Sequence, residues 1–168
     1  MTVDGMYPLL HSPATYGRPR LLVVADDDDL SAFGPVIADA GRHGLRTFVL
    51  CLTRGLPLPG SGATHAVLPS ARERELRAAG APLGAYRLDV VGYCAARHLT
   101  DVVTAHVDRV RPDAAVTRTD VVLSAIRAAA HRPAASYLLT RAGLTEPDGR
   151  PVDAPWTTRP TRYPKEAS

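Results

Sequence analysis

Two apolar runs constrain this chain more than anything else in it: Leu21-Leu22-Val23-Val24-Ala25 and Phe48-Val49-Leu50-Cys51-Leu52. A run without polar alternation is a strand covered on both faces, and such burial is the habit of parallel sheets. Residues 30–43 lie between the two runs. They set Leu30, Phe33, Ile37 and Ala40 on one helical face, and Gly41 with Gly44 closes the helix. The pattern then continues. Residues 64–68 and 85–90 read as short strands, and 70–80 as a charged helix with Ser70 as its cap. Residues 95–110 put Leu99, Val102, Val103, His106, Val107 and Val110 on one stripe. Residues 113–117 read as a strand and 120–131 as a helix. Strands alternating with helices at this spacing predict an α/β domain with a mostly parallel sheet and right-handed crossovers.

Length and composition narrow the class further. The 168 residues suit one domain, and 45% hydrophobic residues are enough for a core. No apolar run approaches the ~20 residues of a membrane-spanning helix. The first residues lack a basic stretch followed by an apolar one, so a cytoplasmic location and no membrane association are expected. The net charge is +3, but the basic residues alternate with acids, and Lys165 is the one lysine among 20 basic side chains. No basic stripe is interleaved with aromatics, so no nucleic-acid partner is expected. Cys51 and Cys94 form no CxxC pair and read as a buried strand cysteine and a loop cysteine. Residues 1–19, with Pro8, Pro13 and Pro19, read as an extended arm, and 20–142 as the folded body. From 143 to 168, Pro147, Pro151, Pro155, Pro160 and Pro164 exclude a long helix or a central strand, which predicts an irregular tail.

The first strand runs into Asp26-Asp27-Asp28-Asp29. Ligands of open α/β sheets bind at the carboxyl ends of the strands, so four acids there mark a candidate site. A plainer reading is a solvated turn whose Asp29 caps the next helix. Clustering raises the pKa of at least one carboxyl in such a group, which suits a general base near neutral pH.

Leu21 to Leu30 resembles the opening of the LmbE-like, or PIG-L, family of zinc-dependent N-deacetylases, where a strand ends in Ala-His-Pro-Asp-Asp-Glu. Further pieces follow in the family's order. Thr47 to Gly55 resembles its second strand and Thr-x-Gly loop. Arg72-Glu73-Arg74-Glu75-Leu76 with Leu83-Gly84 resembles its Arg-x-x-Glu-Leu helix. Leu88-Asp89 resembles the next strand, and Arg111-Pro112-Asp113 before Ala114 to Thr117 resembles the strand preceding the last metal motif. The likeness spans roughly residues 20–131. It implies Asp28 at the position of the catalytic base, Asp29 at the carboxylate ligand, and Arg72 at a position facing substrate.

The departures fall on the metal. Asp26 stands where the family has its first zinc-binding histidine. The distant histidine motif should fall near Asp120 to Ile126, where Val122, Ser124 and Ala125 stand instead. Catalytic zinc takes three protein ligands plus water, and imidazole supplies much of the affinity. Asp26 and Asp29 alone suit a weakly held Mg²⁺ or Ca²⁺ better than zinc, and those ions want more oxygen ligands. Zinc is therefore not expected, and no other cofactor is indicated. A zinc site rebuilt with His98 or His106 is the remaining metal reading.

Other residues are candidates for the same site. Arg54, after the second strand, stands near its rim. Tyr93 follows a strand end, and His98 begins a helix. Together with Asp26 and Arg72 they form the expected substrate-binding set around Asp28. His106, on an apolar stripe, reads as a satisfied semi-buried histidine, His43 as a helix-end residue, and His11, His65 and His131 as surface. The opening also resembles response-regulator receivers, but no aspartate ends the strand at 47–52 and no lysine follows in the body.

The expectation is a three-layer, Rossmann-like α/β domain resembling a shortened LmbE/PIG-L domain. Its zinc chemistry is expected to be lost. It would act on a small molecule, in specialised metabolism, through metal-independent acid–base chemistry above Asp26–Asp29. The alternative is a non-catalytic protein that binds a ligand or supports a partner enzyme. The arm and tail are expected to pack on the body, on a second copy of the chain or on a protein partner. The substrate and the reaction type are not legible.

Overall fold

The computed structural model describes residues 18–26, 30–52, 74, 76–91 and 98–152. Strand β1 (Arg20–Asp26) leads through a 3-10 turn (Leu30–Phe33) into α1 (Gly34–Arg42), then β2 (Arg46–Leu52). A helical stretch at 76–80 and a 3-10 turn (Ala81–Leu83) precede β3 (Arg87–Val91). Next come α2 (Leu99–Val110), β4 (Ala114–Thr117), α3 (Asp120–Ala128), β5 (Ala135–Thr140) and β6 (Gly143–Thr145). One sheet holds the strands in the order β3-β2-β1-β4-β5-β6. All neighbours are parallel except β5 and β6. The fold is a three-layer, Rossmann-like α/β domain, as the strand–helix alternation predicts.

The layers follow from the period of two along each strand. Leu21, Val23 and Ala25 of β1 face one way and join Val49 and Cys51 of β2 against Leu30, Phe33, Ile37 and Ala40. Leu22 and Val24 face the other way and join Leu50 and Leu52 against Leu99, Val103 and Val107 of α2 and Val122, Ala125 and Ile126 of α3. Every residue from Leu21 to Ala25 is therefore buried, which is why β1 reads as an unbroken apolar run. Arg20 pins the start of this strand. Its N–H donates to Asp113 Oδ2 at 2.8 Å and its guanidinium to Val110 O at 2.7 Å. Gly80 lets the 76–80 stretch lie close on β3, because a Cβ there would come within 2.5 Å of Leu88 Cδ1.

Several expectations are adjusted. The strand at 64–68 and the cap Ser70 lie outside the described residues, as does Cys94. The helix expected over 95–110 is described from His98, its N-cap. The helix expected to reach 131 ends at Ala128. His131 explains this: its N–H donates to Asp108 Oδ1 at 2.7 Å, and its ring Nε2 to Pro112 O at 2.8 Å. Those bonds draw the chain across to α2. Residues 143–145, expected to begin an irregular tail, form β6 instead. Gly143, at φ 119°, turns the chain back along β5. The prolines exclude a central strand, but β6 is an edge strand that ends before Pro147. Helices among the described residues are all too short and polar to cross a membrane.

Candidate functional site

The order of the strands reverses at β1. From β1 the chain steps outward to β2 and β3, then crosses back to place β4 on the other side of β1. This is the topological switch point, where the connections above the sheet diverge and leave a crevice. The pairing shows where it opens. β1 and β4 stay in register only to Val23 and Val116, whereas β1 and β2 remain paired out to Asp26 and Leu52.

The crevice walls are Val24, Asp26, Phe33, Thr117, Arg118, Thr119 and Val122. Phe33 and Val122 are buried and close its base. Asp26 is half-buried at the end of β1. Thr117 ends β4 and is 1% exposed. Thr119 is the N-cap of α3, and its hydroxyl accepts from the Val122 N–H at 3.4 Å. Arg118 between them is exposed. The described walls leave no room for a water molecule.

The structure places the candidate residues as follows. Asp26 lines the crevice. His98 is exposed at the N-cap of α2, on the same carboxyl rim, but it is not among the crevice walls. Asp28, Asp29, Arg54, Arg72 and Tyr93 lie outside the described residues. His106 is 5% exposed, between α2 and β3. Arg109 Nη2 donates to its Nδ1 at 2.7 Å, so the ring proton is on Nε2. Asp89 Oδ2 lies 3.7 Å from that Nε2, beyond hydrogen-bond reach. Burial, then the Arg109 charge, pushes the His106 pKa down to about 4 against the partial pull of Asp89. This histidine is neutral and serves packing. His43 is the helix-end residue expected, its ring Nδ1 donating to Asp39 O at 2.9 Å.

The sequence reading passes over Thr117, Arg118 and Thr119. A signal for them exists: Thr119 stands directly before the apolar stripe of α3 and just after a buried strand, the position of an N-cap on the ligand rim.

The described crevice wall offers one carboxylate and two hydroxyls, with a guanidinium beside them, and Asp27, Asp28 and Asp29 lie outside the described residues. Among the described residues no three His, Cys, Asp or Glu side chains come together.

No protein-family model matches the chain, and no curated protein matches its sequence. Solved structures do match its fold. N,N'-diacetylchitobiose deacetylase from Pyrococcus horikoshii aligns with a TM-score of 0.50 at 18% identity, over 59% of this chain and 40% of that one. GalB, the 4-carboxy-2-hydroxymuconate hydratase from Pseudomonas putida, aligns with a TM-score of 0.54 at 20% identity, over 73% and 65%. A deacetylase of the teicoplanin biosynthetic pathway aligns with a TM-score of 0.50 at 20% identity, over 64% and 59%. The chain spans less than two thirds of the length of each. The fold is thus a Rossmann-like α/β domain shared with these structures. Deacetylases of the LmbE/PIG-L type are among its structural neighbours, so the resemblance read along the sequence has its counterpart in the architecture.

Proposed function

We propose that this protein acts on a small molecule by metal-independent acid–base chemistry at the switch-point crevice, on a deacetylase-like scaffold. One observation carries the reading. The acidic run begins at Asp26, on the rim where α/β sheets place their chemistry, and the described crevice wall adds two hydroxyls and an arginine to its carboxylate. Asp28 is assigned as the general base. Asp26, Arg54, Arg72, Tyr93 and His98 are assigned to holding the substrate, and Thr117, Arg118 and Thr119 join them on the β4 side.

The scaffold is compatible with more than one reaction, because fold does not carry function across. Its structural neighbours include a hydratase as well as deacetylases. The neighbour from teicoplanin biosynthesis supports a role in specialised metabolism. A location in the cytoplasm is part of the same proposal. The narrowness of the crevice favours a second reading, a non-catalytic protein that supports a partner enzyme.

Metal content by elemental mass spectrometry, before and after zinc loading and desalting, comes first. Turnover follows, with an N-acetylated amino sugar and an unsaturated hydroxy-carboxylate as probes, with and without chelator. The proposal expects no retained zinc and chelator-resistant turnover that Asp28→Asn abolishes. Near-stoichiometric zinc with chelator-sensitive turnover overturns it in favour of a deacetylase with a rebuilt ligand set. If neither probe is turned over, or if Asp28→Asn and Asp26→Ala both leave turnover intact, the assignment of this crevice to catalysis fails.

A further inference from the structure

A second hollow lies at the other end of the sheet. It has a volume of about 420 Å³ and is lined by Arg127, Arg132, Ser136, Tyr137 and Glu146, with Pro133, Ala134, Ala135 and Pro147 completing the wall. This volume falls in the range of small-molecule sites, roughly 300–1,000 Å³. It sits at the amino end of β5, away from the carboxyl rim that holds Asp26.

Four side chains of the wall, Arg127, Arg132, Ser136 and Tyr137, can donate. Arg127 is in the last turn of α3, and Arg132 is in the loop before β5. Neither has an ion-pair partner among the described residues. The one acid of the wall, Glu146, is already taken: Arg150 Nη2 lies 2.6 Å from its Oε2. Burial and that carboxylate push the Tyr137 hydroxyl up to about 12, so it stays protonated and able to donate at neutral pH. Its side chain is 4% exposed, yet it reaches the wall.

The backbone adds to this. Ala135 N–H donates to Asp113 O, toward β4. Leu138 O accepts from Thr145 Oγ1, toward β6. With the period of two along a strand, the Ser136 N–H points away from β4, as Leu138 does. The ladder with β6 begins at Leu138. Ser136 lies beyond the last paired residue of that ladder, and both Ser136 and Pro147 line the hollow. The open edge of β5 at Ser136 therefore faces the hollow.

We propose that this hollow binds a small oxyanion-bearing molecule, a carboxylate or a phosphate ester, separately from the switch-point crevice. The two guanidiniums neutralise the anion, which suits the planar fork of arginine. The Tyr137 hydroxyl and Ser136 donate to its oxygens, and the pyrrolidine rings of Pro133 and Pro147 bound its apolar part.

The test uses the full chain and isothermal titration with inorganic phosphate, succinate and, as a control, a neutral diol. The proposal expects saturable binding of phosphate or succinate, whichever source supplies the anion, and none of the diol. Arg127→Gln combined with Arg132→Gln should weaken it about tenfold or more, with an unchanged circular dichroism spectrum and melting curve. Tyr137→Phe should weaken it less, as a fold-preserving second variant. Asp28→Asn should leave it unchanged, so failure here is distinct from failure of the proposed chemistry. Equal affinity in wild type and the double arginine variant, or no saturable binding of either anion, overturns the proposal.

Discussion

At the carboxyl end of the sheet, Asp26 sits in a crevice whose described walls leave no room for a water molecule. At the amino end of β5, Arg127 and Arg132 face a hollow of about 420 Å³. The first place is marked by topology and carboxylates, the second by space and unengaged cations. The two kinds of evidence separate here, and the separation has a physical source. Reactive groups collect where strand order reverses, because connections diverge there. Open volume arises wherever an edge strand outruns its neighbour, as β5 outruns β6 at Ser136.

The largest effect expected concerns the first place. Asp28→Asn should lower turnover by about 10²–10⁴-fold, the range for losing a general base, with an unchanged melting temperature. If the same variant instead abolishes anion binding at the arginine hollow, the two ends are coupled and the comparison breaks. Next comes Phe33→Ala. This fully buried ring closes the crevice base, and its loss should cost about 3–5 kcal/mol in urea denaturation. A cost near zero would mean that the crevice is not part of the packed core.

A third prediction concerns a group at neither end. His106 is neutral in the fold with its pKa lowered to about 4 from 6.5. Between those values the unfolded chain binds a proton at this ring and the folded chain does not. Stability is therefore full above pH 6.5 and falls as pH drops toward 4, by on the order of 2–3 kcal/mol. Urea melts across that window should show the decline, and His106→Leu should flatten it. An unchanged slope in the variant would assign the decline to other groups. This control tells acid loss of turnover at the crevice apart from acid unfolding. The smallest effect is Arg150→Ala. It releases the Glu146 charge beside the hollow and should weaken phosphate or succinate binding by roughly two- to fivefold. Unaltered affinity would show that Glu146 does not sense the bound anion.

Much of the central sheet is legible in the residues. Leu21 to Ala25 reads as a doubly covered strand because both cores draw on it alternately. The stripe of Leu99, Val103, His106 and Val107 reads as a helix because one face is buried. The edge is not legible. Ala135 to Thr140 carries only a short apolar run, Tyr137 to Leu139, of which Tyr137 alone is buried. The prolines after it suggest irregular chain, although they only end β6. For the site, Asp26 is found by position alone. Thr119 carries an N-cap signal in the sequence, but Thr117 is an ordinary residue until β4 is set beside β1. Arg127, Arg132 and Ser136 fall within ten residues of one another, but Glu146 joins them only through the return of the hairpin.

That hairpin has a consequence for how the molecule behaves in company. A bare parallel edge is a template on which another chain can add, and proteins that leave one exposed tend to aggregate. β6 covers the far half of β5 with a strand of three residues, and Thr145 makes a single further bridge to Pro151. A strand so short, followed by Pro147 and Pro151, offers a visiting strand little to zip onto. A chain cut before Gly143 would keep most of both cores but lose this cover. Its failure would then be seen first as self-association at high concentration, with the melting temperature of the surviving core changed far less.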